Sequence, residues 1–256
     1  MNIIPLDKSN IDLLVSYCYV ARSDIHPHLL QGTIRKQNLY ASKIEQGLRG
    51  LIAQDYKGVA GIAEWMPIEI SYLGFDMPGA KFIRCIFVKQ DFSGKGTGGA
   101  LMESLMAECG DTALLTFGYD YPDHMPRSFF EKYGFMTIET YGDMYLMLRP
   151  GGEWDTGRAA SKGPFFHPKA AHERIRGRKP LFLFHNDFCP YNWLSLQRIL
   201  KDVKGRSDVY FRLVNCNFRR YPESCGECPT LYLDGNLITW HPCEAGFVKG
   251  LLEKEG

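Results

Sequence analysis

Residues 81–110 read KFIRCIFVKQDFSGKGTGGALMESLMAECG. The apolar and aromatic opening predicts a strand over Lys81–Val88. The closing part places Ala100, Leu101, Leu105 and Met106 on one helical face, with Gly110 as its stop. Between strand and helix, Gly94, Gly96, Gly98 and Gly99 fall within six positions. Glycine costs a helix interior about 1 kcal/mol relative to alanine. Such a cluster belongs where backbone turns sharply or approaches a ligand closely.

Three ligand chemistries compete for this loop. A phosphate loop of the Walker type needs GxxxxGK followed by Ser or Thr. Here Lys95 is followed by Gly96 and the required first glycine is Lys89, so no hydroxyl is placed for magnesium. A dinucleotide fingerprint matches as text at Gly94, Gly96 and Gly99, with Asp120 downstream. However, Lys89 to Ser93 separate the strand from Gly94, whereas that fingerprint follows its strand directly. The third chemistry fits the context. A strand, a loop of accessible backbone N–H groups and a helix N-terminus form an anion site that suits a pyrophosphate and needs no metal. Lys95 adds a positive charge at its rim.

Residues 81–135 carry two motifs that resemble the GNAT acetyltransferase superfamily. Ser93-Gly94-Lys95-Gly96-Thr97-Gly98 occupies the family's Arg/Gln-x-x-Gly-x-Gly/Ala loop, with Ser93 where Arg or Gln is usual. Phe129-Phe130-Glu131-Lys132-Tyr133-Gly134-Phe135 occupies its later Phe-Tyr-Glu-Lys-x-Gly-Phe segment. The resemblance covers roughly residues 1–150. It implies a mixed sheet flanked by helices, and acetyl-CoA or a related acyl-CoA as cofactor. Ile86, Phe87 and Val88 would line the pantetheine arm, Ser93 to Gly99 would hold the pyrophosphate, and Phe130 would stand beside the cofactor. A splay between the strand at 81–88 and that at 112–117 would admit the thioester. No metal ion is assigned.

Amine acylation needs a donor for the oxyanion and a proton for the departing thiolate. The resemblance puts the Val88 N–H in the first role. The family's tyrosine falls at Phe130, which has no proton to give, so Tyr119 and Tyr121 become the candidates for the second, with Tyr133, one helical turn from Phe130, expected to point elsewhere. Glu64, at the end of a strand near where an acceptor would enter, is the candidate base. Cys85, His26 and His28 read as a structural thiol and ordinary loop histidines.

Outward from this stretch, Asn10 to Val20 and Gln31 to Gly47 read as helices. Leu48 to Gln54 and Gly58 to Trp65 read as strands, Thr112 to Phe117 as another. RSFFEKY, opened by Pro126, reads as a short helix, and Thr137 to Thr140 with Met144 to Leu148 as a hairpin. Composition breaks at Arg149-Pro150-Gly151-Gly152, and a basic linker containing Gly and Pro runs over 151–179. Its cluster Phe165-Phe166-His167-Pro168 predicts that part of it packs on a folded unit.

The chain therefore divides into 1–150, a linker, and a second domain over 180–256. Leu181 to His185 predicts a strand, followed by Cys189-Pro190-Tyr191-Asn192 and a helix to about Val203. A strand at Val209 to Val214, a hairpin after Cys228-Pro229 and a last helix from Glu244 to Glu253 follow. The order β-Cys-α-β-α-β-β-α resembles the thioredoxin/glutaredoxin fold, with Pro229 at its cis-proline. A GNAT domain followed by such a module resembles the YoaP-like acetyltransferases. Asn192 stands where the second cysteine of Cys-x-x-Cys belongs, so a dithiol cycle through that pair is closed. Cys189, Cys225 and Cys228 would converge if the fold holds, as a disulfide switch, a soft-metal site or a docking site for thiols. A thiol at a helix N-terminus has its thiolate stabilised.

Composition is that of a soluble globular protein: 45% hydrophobic and 23% charged residues. Residues 1–150 carry 14 Lys/Arg against 17 Asp/Glu, and 151–256 carry 16 against 12, so neither part is basic enough for nucleic acid. Without an apolar run of membrane-spanning length or a leader pattern, the chain reads as cytoplasmic with no membrane partner; the GNAT resemblance implies an amine-bearing small molecule or peptide as acceptor. Two other readings remain open: a thiol or metal sensor on a GNAT scaffold, and a monothiol oxidoreductase through Cys189.

Overall fold

The computed structural model describes residues 1–13, 26–56, 58–121, 124–166, 177–218, 220–221, 230–239 and 244–254. They form two compact units. The first comprises residues 1–23, 40–71 and 75–166; the second comprises 24–39, 72–74 and 167–256.

The first unit is built on a seven-stranded mixed sheet. Its strands are β1 (Asn2–Pro5), β2 (Arg49–Asp55), β3 (Gly58–Pro67), β4 (Lys81–Val88), β5 (Leu114–Tyr119), β6 (Met136–Tyr141) and β7 (Met144–Arg149), in the order β1-β2-β3-β4-β5-β7-β6. All neighbours are antiparallel except β4 and β5, which are parallel. That pair requires a crossover, and the glycine loop and its helix supply it. β1 escapes the sequence reading because four residues are too short for a period-2 signal.

Helix α1 (Pro27–Ile44) begins at a proline, whose missing N–H and fixed φ suit a first helical position. Its residues through Leu39 belong to the second unit, and Tyr40 onward to the first. The crossover helix is α2 (Thr97–Cys109), stopped by Gly110 at φ 60°. A short helix, α3 (Arg127–Glu131), follows β5, and α4 (Thr156–Ala160) is capped by the Asp155 carboxylate. The segment after Arg149 packs on the first unit. Trp154 donates to the Pro78 carbonyl at 3.0 Å, and Phe165 meets Phe75 edge-on at 4.9 Å.

The second unit holds a four-stranded sheet. β8 (Lys179–His185) runs parallel to β9 (Val209–Asn215) through helix α5 (Pro190–Val203) and antiparallel to β10 (Thr230–Leu233), which turns into β11 (Asn236–Thr239). The order is β11-β10-β8-β9, and helix α6 (Phe247–Lys254) closes the described chain. Leu181, Leu183, Leu196, Ile199, Leu231 and Val248 form the centre of its core. The second helix of the anticipated order has no counterpart among the described residues between β9 and β10. Among the described residues, no helix is long and apolar enough to cross a membrane.

Candidate functional site

β4 and β5 pair only over Lys81–Leu114, Phe82–Leu115 and Ile83–Thr116. Beyond that point β5 keeps its other partner as far as Tyr119 opposite Met144, while β4 continues alone on this side to Val88. The parting coincides with a bulge. Glu64 stands opposite Cys85 and Trp65 opposite Ile83, leaving Arg84 as the extra residue of β4. A bulge bends and twists its strand, here where β4 leaves β5. It is pinned by side chains: Arg84 Nε donates to Glu64 Oε2 at 2.8 Å, and the Tyr40 hydroxyl donates to the same oxygen at 2.5 Å. Glu64 is wholly buried and Arg84 nearly so, so each charge depends on the other.

Backbone alternation determines which donors face the gap. Lys89 N–H donates back to Ala60 of β3 at 2.9 Å. By strand alternation Phe87 N–H faces β3 as well, while Ile86 and Val88 N–H face the β5 side. Ile86 confirms this parity, because its N–H meets the Met125 thioether at 3.3 Å.

The glycine loop follows at the open end. Gly94 has φ 72° and Gly96 φ 81°, left-handed values that explain both glycines. A Cβ built on either would meet nothing within 4 Å. Gly96 caps α2 with no side-chain hydrogen bond, and Ser93 to Gly96 are exposed. The helix starts with the N–H groups of Thr97, Gly98 and Gly99, which have no intrahelical acceptor. Thr97 is buried, whereas a Cβ on Gly98 would sit 3.5 Å from Phe129 and 3.6 Å from Val88. Lys95 donates to the Asp91 carbonyl at 2.7 Å, so its ammonium lies at the loop rim. This open, uncapped turn beside a strand edge that has parted from β5 fits a phosphate-bearing cofactor with a linear arm.

The remaining candidates separate. Tyr119 is buried, stacks on Tyr121 at 5.0 Å, meets His124 at a tilt at 5.8 Å, and donates its hydroxyl to Met144 Sδ at 3.7 Å. Tyr121 is half-buried. Tyr119 N–H also donates to the Met125 carbonyl at 3.1 Å, so this aromatic group borders the gap. Phe130 is fully buried between Phe129 and Phe135. The side chains that reach the start of α2 are Phe129 and Tyr133, the latter with its hydroxyl 3.0 Å from a Cβ built on Gly99. Burial, reinforced by Glu103, raises the Tyr133 hydroxyl above its ordinary range. Cys85 is buried in β4, and the rings of His26 and His28 lie tilted against each other at 5.1 Å, ahead of α1 and at its start.

In the second unit, Cys189 is half-buried at the N-terminus of α5, followed by Pro190 in the first turn. Asn192 is buried and donates its amide to Asn186 Oδ1 at 2.9 Å. The preceding loop centres on Asp187. Arg35 grips it with Nε at 2.7 Å and Nη2 at 3.0 Å, Asn217 donates at 2.6 Å, and His185 Nε2 lies 3.1 Å away. Burial pushes the Asp187 carboxyl up, but the hydrogen bonds from His185, Arg35 and Asn217 outweigh it and hold the group well below the usual carboxylate range. Arg35 stacks on Trp193 at 4.1 Å, and Trp193 donates to Gln31 at 3.1 Å. Cys225, Cys228, Pro229 and Cys243 lie outside the described residues, as does most of the helix anticipated over Asn10 to Val20. Among the described residues, no cluster of His, Cys, Asp and Glu forms a metal site.

Sequence reasoning missed Arg84, Phe129 and Met125, and set Tyr133 aside on the expectation that it points away from the cofactor side. Arg84 had a signal: it and Glu64 are opposite charges inside adjacent apolar strands. Phe129 had one too, lying four residues before Tyr133, whose ring it meets at 5.2 Å. Met125 had none, since its φ of 47° is a conformation the sequence does not announce for methionine.

No family model and no curated protein matches the chain. Solved structures do. A histone acetyltransferase HPA2 and related acetyltransferase from Corynebacterium glutamicum is 18% identical at a TM-score of 0.42, over 59% of this chain and 96% of its own. Ard1 from Thermoplasma volcanium is 16% identical at 0.43, over 59% and 98%. The PaiA N-acetyltransferase from Thermoplasma acidophilum, in complex with coenzyme A, is 16% identical at 0.40, over 59% and 99%.

Proposed function

We propose that the chain is an acyl-CoA-dependent N-acyltransferase that carries the acetyl group of acetyl-CoA to an amine on a small molecule or peptide. The observation that carries this reading is the parting of β4 from β5 after Ile83–Thr116, continued into an open glycine turn and an uncapped helix N-terminus. Backbone N–H groups of residues 94–99 hold the pyrophosphate, with Lys95 adding charge. The edge of β4 from Ile86 to Val88 that faces away from β3 holds the pantetheine arm, which takes the place of the Met125 thioether at Ile86 N–H. Bound acetyl-CoA supplies the activated thioester. Val88 N–H donates to its oxygen, where negative charge grows. Tyr121, half-buried against Tyr119, is the proton donor for the thiolate. Glu64 serves through Arg84, by fixing the bulge that opens the gap.

In this reading residues 1–150 carry the chemistry, 151–179 connect, and 180–256 form a thioredoxin-like accessory unit in a cytoplasmic protein with neither nucleic acid nor membrane as partner. Support for the accessory unit is the order β11-β10-β8-β9, with a parallel pair joined through α5 and Cys189 at that helix's start. The unit presents or senses the acceptor. A second reading, a thiol sensor on an acyl-CoA-binding scaffold, is favoured by Asn192, which leaves Cys189 as the single thiol of its motif.

The test is calorimetric titration of the reduced protein with acetyl-CoA. Wild type binds, Gly96→Glu loses binding through a bulky anion at the pyrophosphate, and Gly96→Asn, which tolerates the left-handed backbone, retains it. No binding by wild type overturns the reading. Binding without turnover on amines, peptides and thiols favours the sensor.

A further inference from the structure

At the end of β4 far from the glycine turn, two cations share one face of the sheet. Lys81 pairs with Leu114 of β5, and Leu114 pairs with Arg149 of β7. Residues paired across strands project to the same face, so Lys81 and Arg149 flank Leu114, with Cα atoms two strand spacings apart, about 10 Å. The last turn of α2 reaches the same place. The Lys81 ammonium hydrogen-bonds the Cys109 thiol, and the Arg149 charge acts on that thiol as well.

Neither cation is balanced. Arg149 Nη1 is buried and has no acceptor among the described residues. Lys81 and Arg149 make no ion pair among those residues. Burial pushes the Cys109 thiol above its ordinary range despite both cations, so the sulfur stays protonated and brings no negative charge. Glu108, the acidic side chain that acts on this thiol, is itself exposed. The negative end of α2 explains why cations gather at its last turn, yet none of its carbonyls satisfies Nη1. The backbone cannot re-aim the guanidinium. A Cβ built on Gly151 would lie 2.7 Å from the Asp111 carbonyl oxygen, and Gly151 exchanges two hydrogen bonds with Trp154 at 3.0 Å each.

We propose that Lys81 and Arg149 form a binding site for a small oxyanion, a phosphate or a carboxylate, at the C-terminal end of α2. A buried N–H without an acceptor is costly, and native proteins satisfy such groups with water or a ligand. Water would supply the acceptor but leave both charges unbalanced, whereas an oxyanion does both. The guanidinium presents a planar fork to the anion's oxygens, and the ammonium adds a point charge from the other side of Leu114. Both side chains are only half-buried, so a solute has access. The thirteen residues of α2 put this site about 20 Å from the glycine turn at its other end. It is therefore separate from the pyrophosphate position and does not rest on the acyl-CoA reading. When filled, it ties β4, β7 and α2 together where β4 and β5 are still paired.

The experiment is calorimetric titration of inorganic phosphate, and separately of acetate, into the Gly96→Glu protein, whose glycine turn is blocked by a carboxylate. Sodium chloride holds the ionic strength constant. The expected result is one saturable site per chain. Saturation by phosphate alone identifies a tetrahedral anion, and saturation by acetate as well identifies a carboxylate site. Adding Arg149→Met or Lys81→Met to this background weakens binding at least tenfold, and Arg149→Lys, which keeps the charge but not the fork, weakens it less than Arg149→Met does. Near-ultraviolet circular dichroism confirms that each variant is folded. Should Arg149→Met fail to fold, Lys81→Met, at the first residue of β4, decides alone. No saturable binding of either anion overturns the proposal. So does binding that folded Arg149→Met and Lys81→Met proteins keep within twofold, which would be an adventitious ion only. Neither result bears on CoA binding by wild type, so the acyl-CoA reading stands or falls separately.

Discussion

A carboxylate only 5% exposed must be held charged by its neighbours, and Asp187 has three. Burial alone would favour its neutral form, but Arg35, Asn217 and His185 reverse that balance and depress its folded-state pKa. The sign follows from linkage. Stability from a depressed carboxylate is complete above the unfolded value, near about pH 4, and is lost as pH falls toward the folded value. Urea midpoints of wild type and Asp187→Asn should therefore differ most at neutral pH and converge as pH drops below about 4. A difference constant across that window would show that the charge contributes nothing. At this scale the sequence was least legible. Glu64 reads as a strand-end base, yet it is wholly buried with two donors on one oxygen. Phe130 reads as a cofactor neighbour from its motif, yet side-chain direction in a single short turn sends Phe129 to Gly98 and Phe130 into the core. Motif spacing fixes a position along the chain, whereas contact depends on a rotation that spacing does not encode.

Elements were more legible, for a physical reason. β4 falls on Lys81–Val88 in both sequence and structure because an apolar run bounded by a glycine loop allows little else. α1 starts four residues earlier than its periodicity suggests, at Pro27, since the proline that breaks a pattern internally is favoured at its start. α1 also explains a glycine with no turn to make. A Cβ built on Gly32 would lie 2.4 Å from the Pro190 carbonyl oxygen and 2.9 Å from its Cα. Both atoms are backbone at the first residue of α5, so neither can rotate aside. Gly32→Ala should lower stability by about 1–3 kcal/mol, the usual cost of overpacking. Gly250→Ala, with open space in the middle of α6, should raise it by up to about 1 kcal/mol. Chemical denaturation of the two variants measures both, and equal effects would refute the close approach.

At the scale of the whole molecule, the second unit draws on segments far apart in sequence. Residues 24–39 and 72–74 join 167–256 within it. Arg35 meets Asp187 across 152 residues, and Gln31 meets Trp193 across 162. Composition and turn signals mark the break near Arg149, but no local pattern announces that an early helix supplies a side of a late unit. A chain of residues 177–256 lacks Gln31, Gly32 and Arg35, and leaves the buried Asp187 without its guanidinium. It should show no cooperative unfolding transition by near-ultraviolet circular dichroism under conditions where the full chain does. A cooperative transition in that fragment would mean that the α1 segment is dispensable to it.

The same arrangement orders events during synthesis. α1 leaves the ribosome more than 150 residues before Asp187, on the separation of Arg35 from its partner. At about 5–20 residues per second, that segment waits on the order of ten seconds or more with its partner surface not yet made. Its Leu30 and Ile34, exposed in the finished protein, lie on the same early segment as the residues that must wait. The nascent chain is thus most open to chaperone capture, or to pairing with a neighbouring copy, in the interval before its last third emerges.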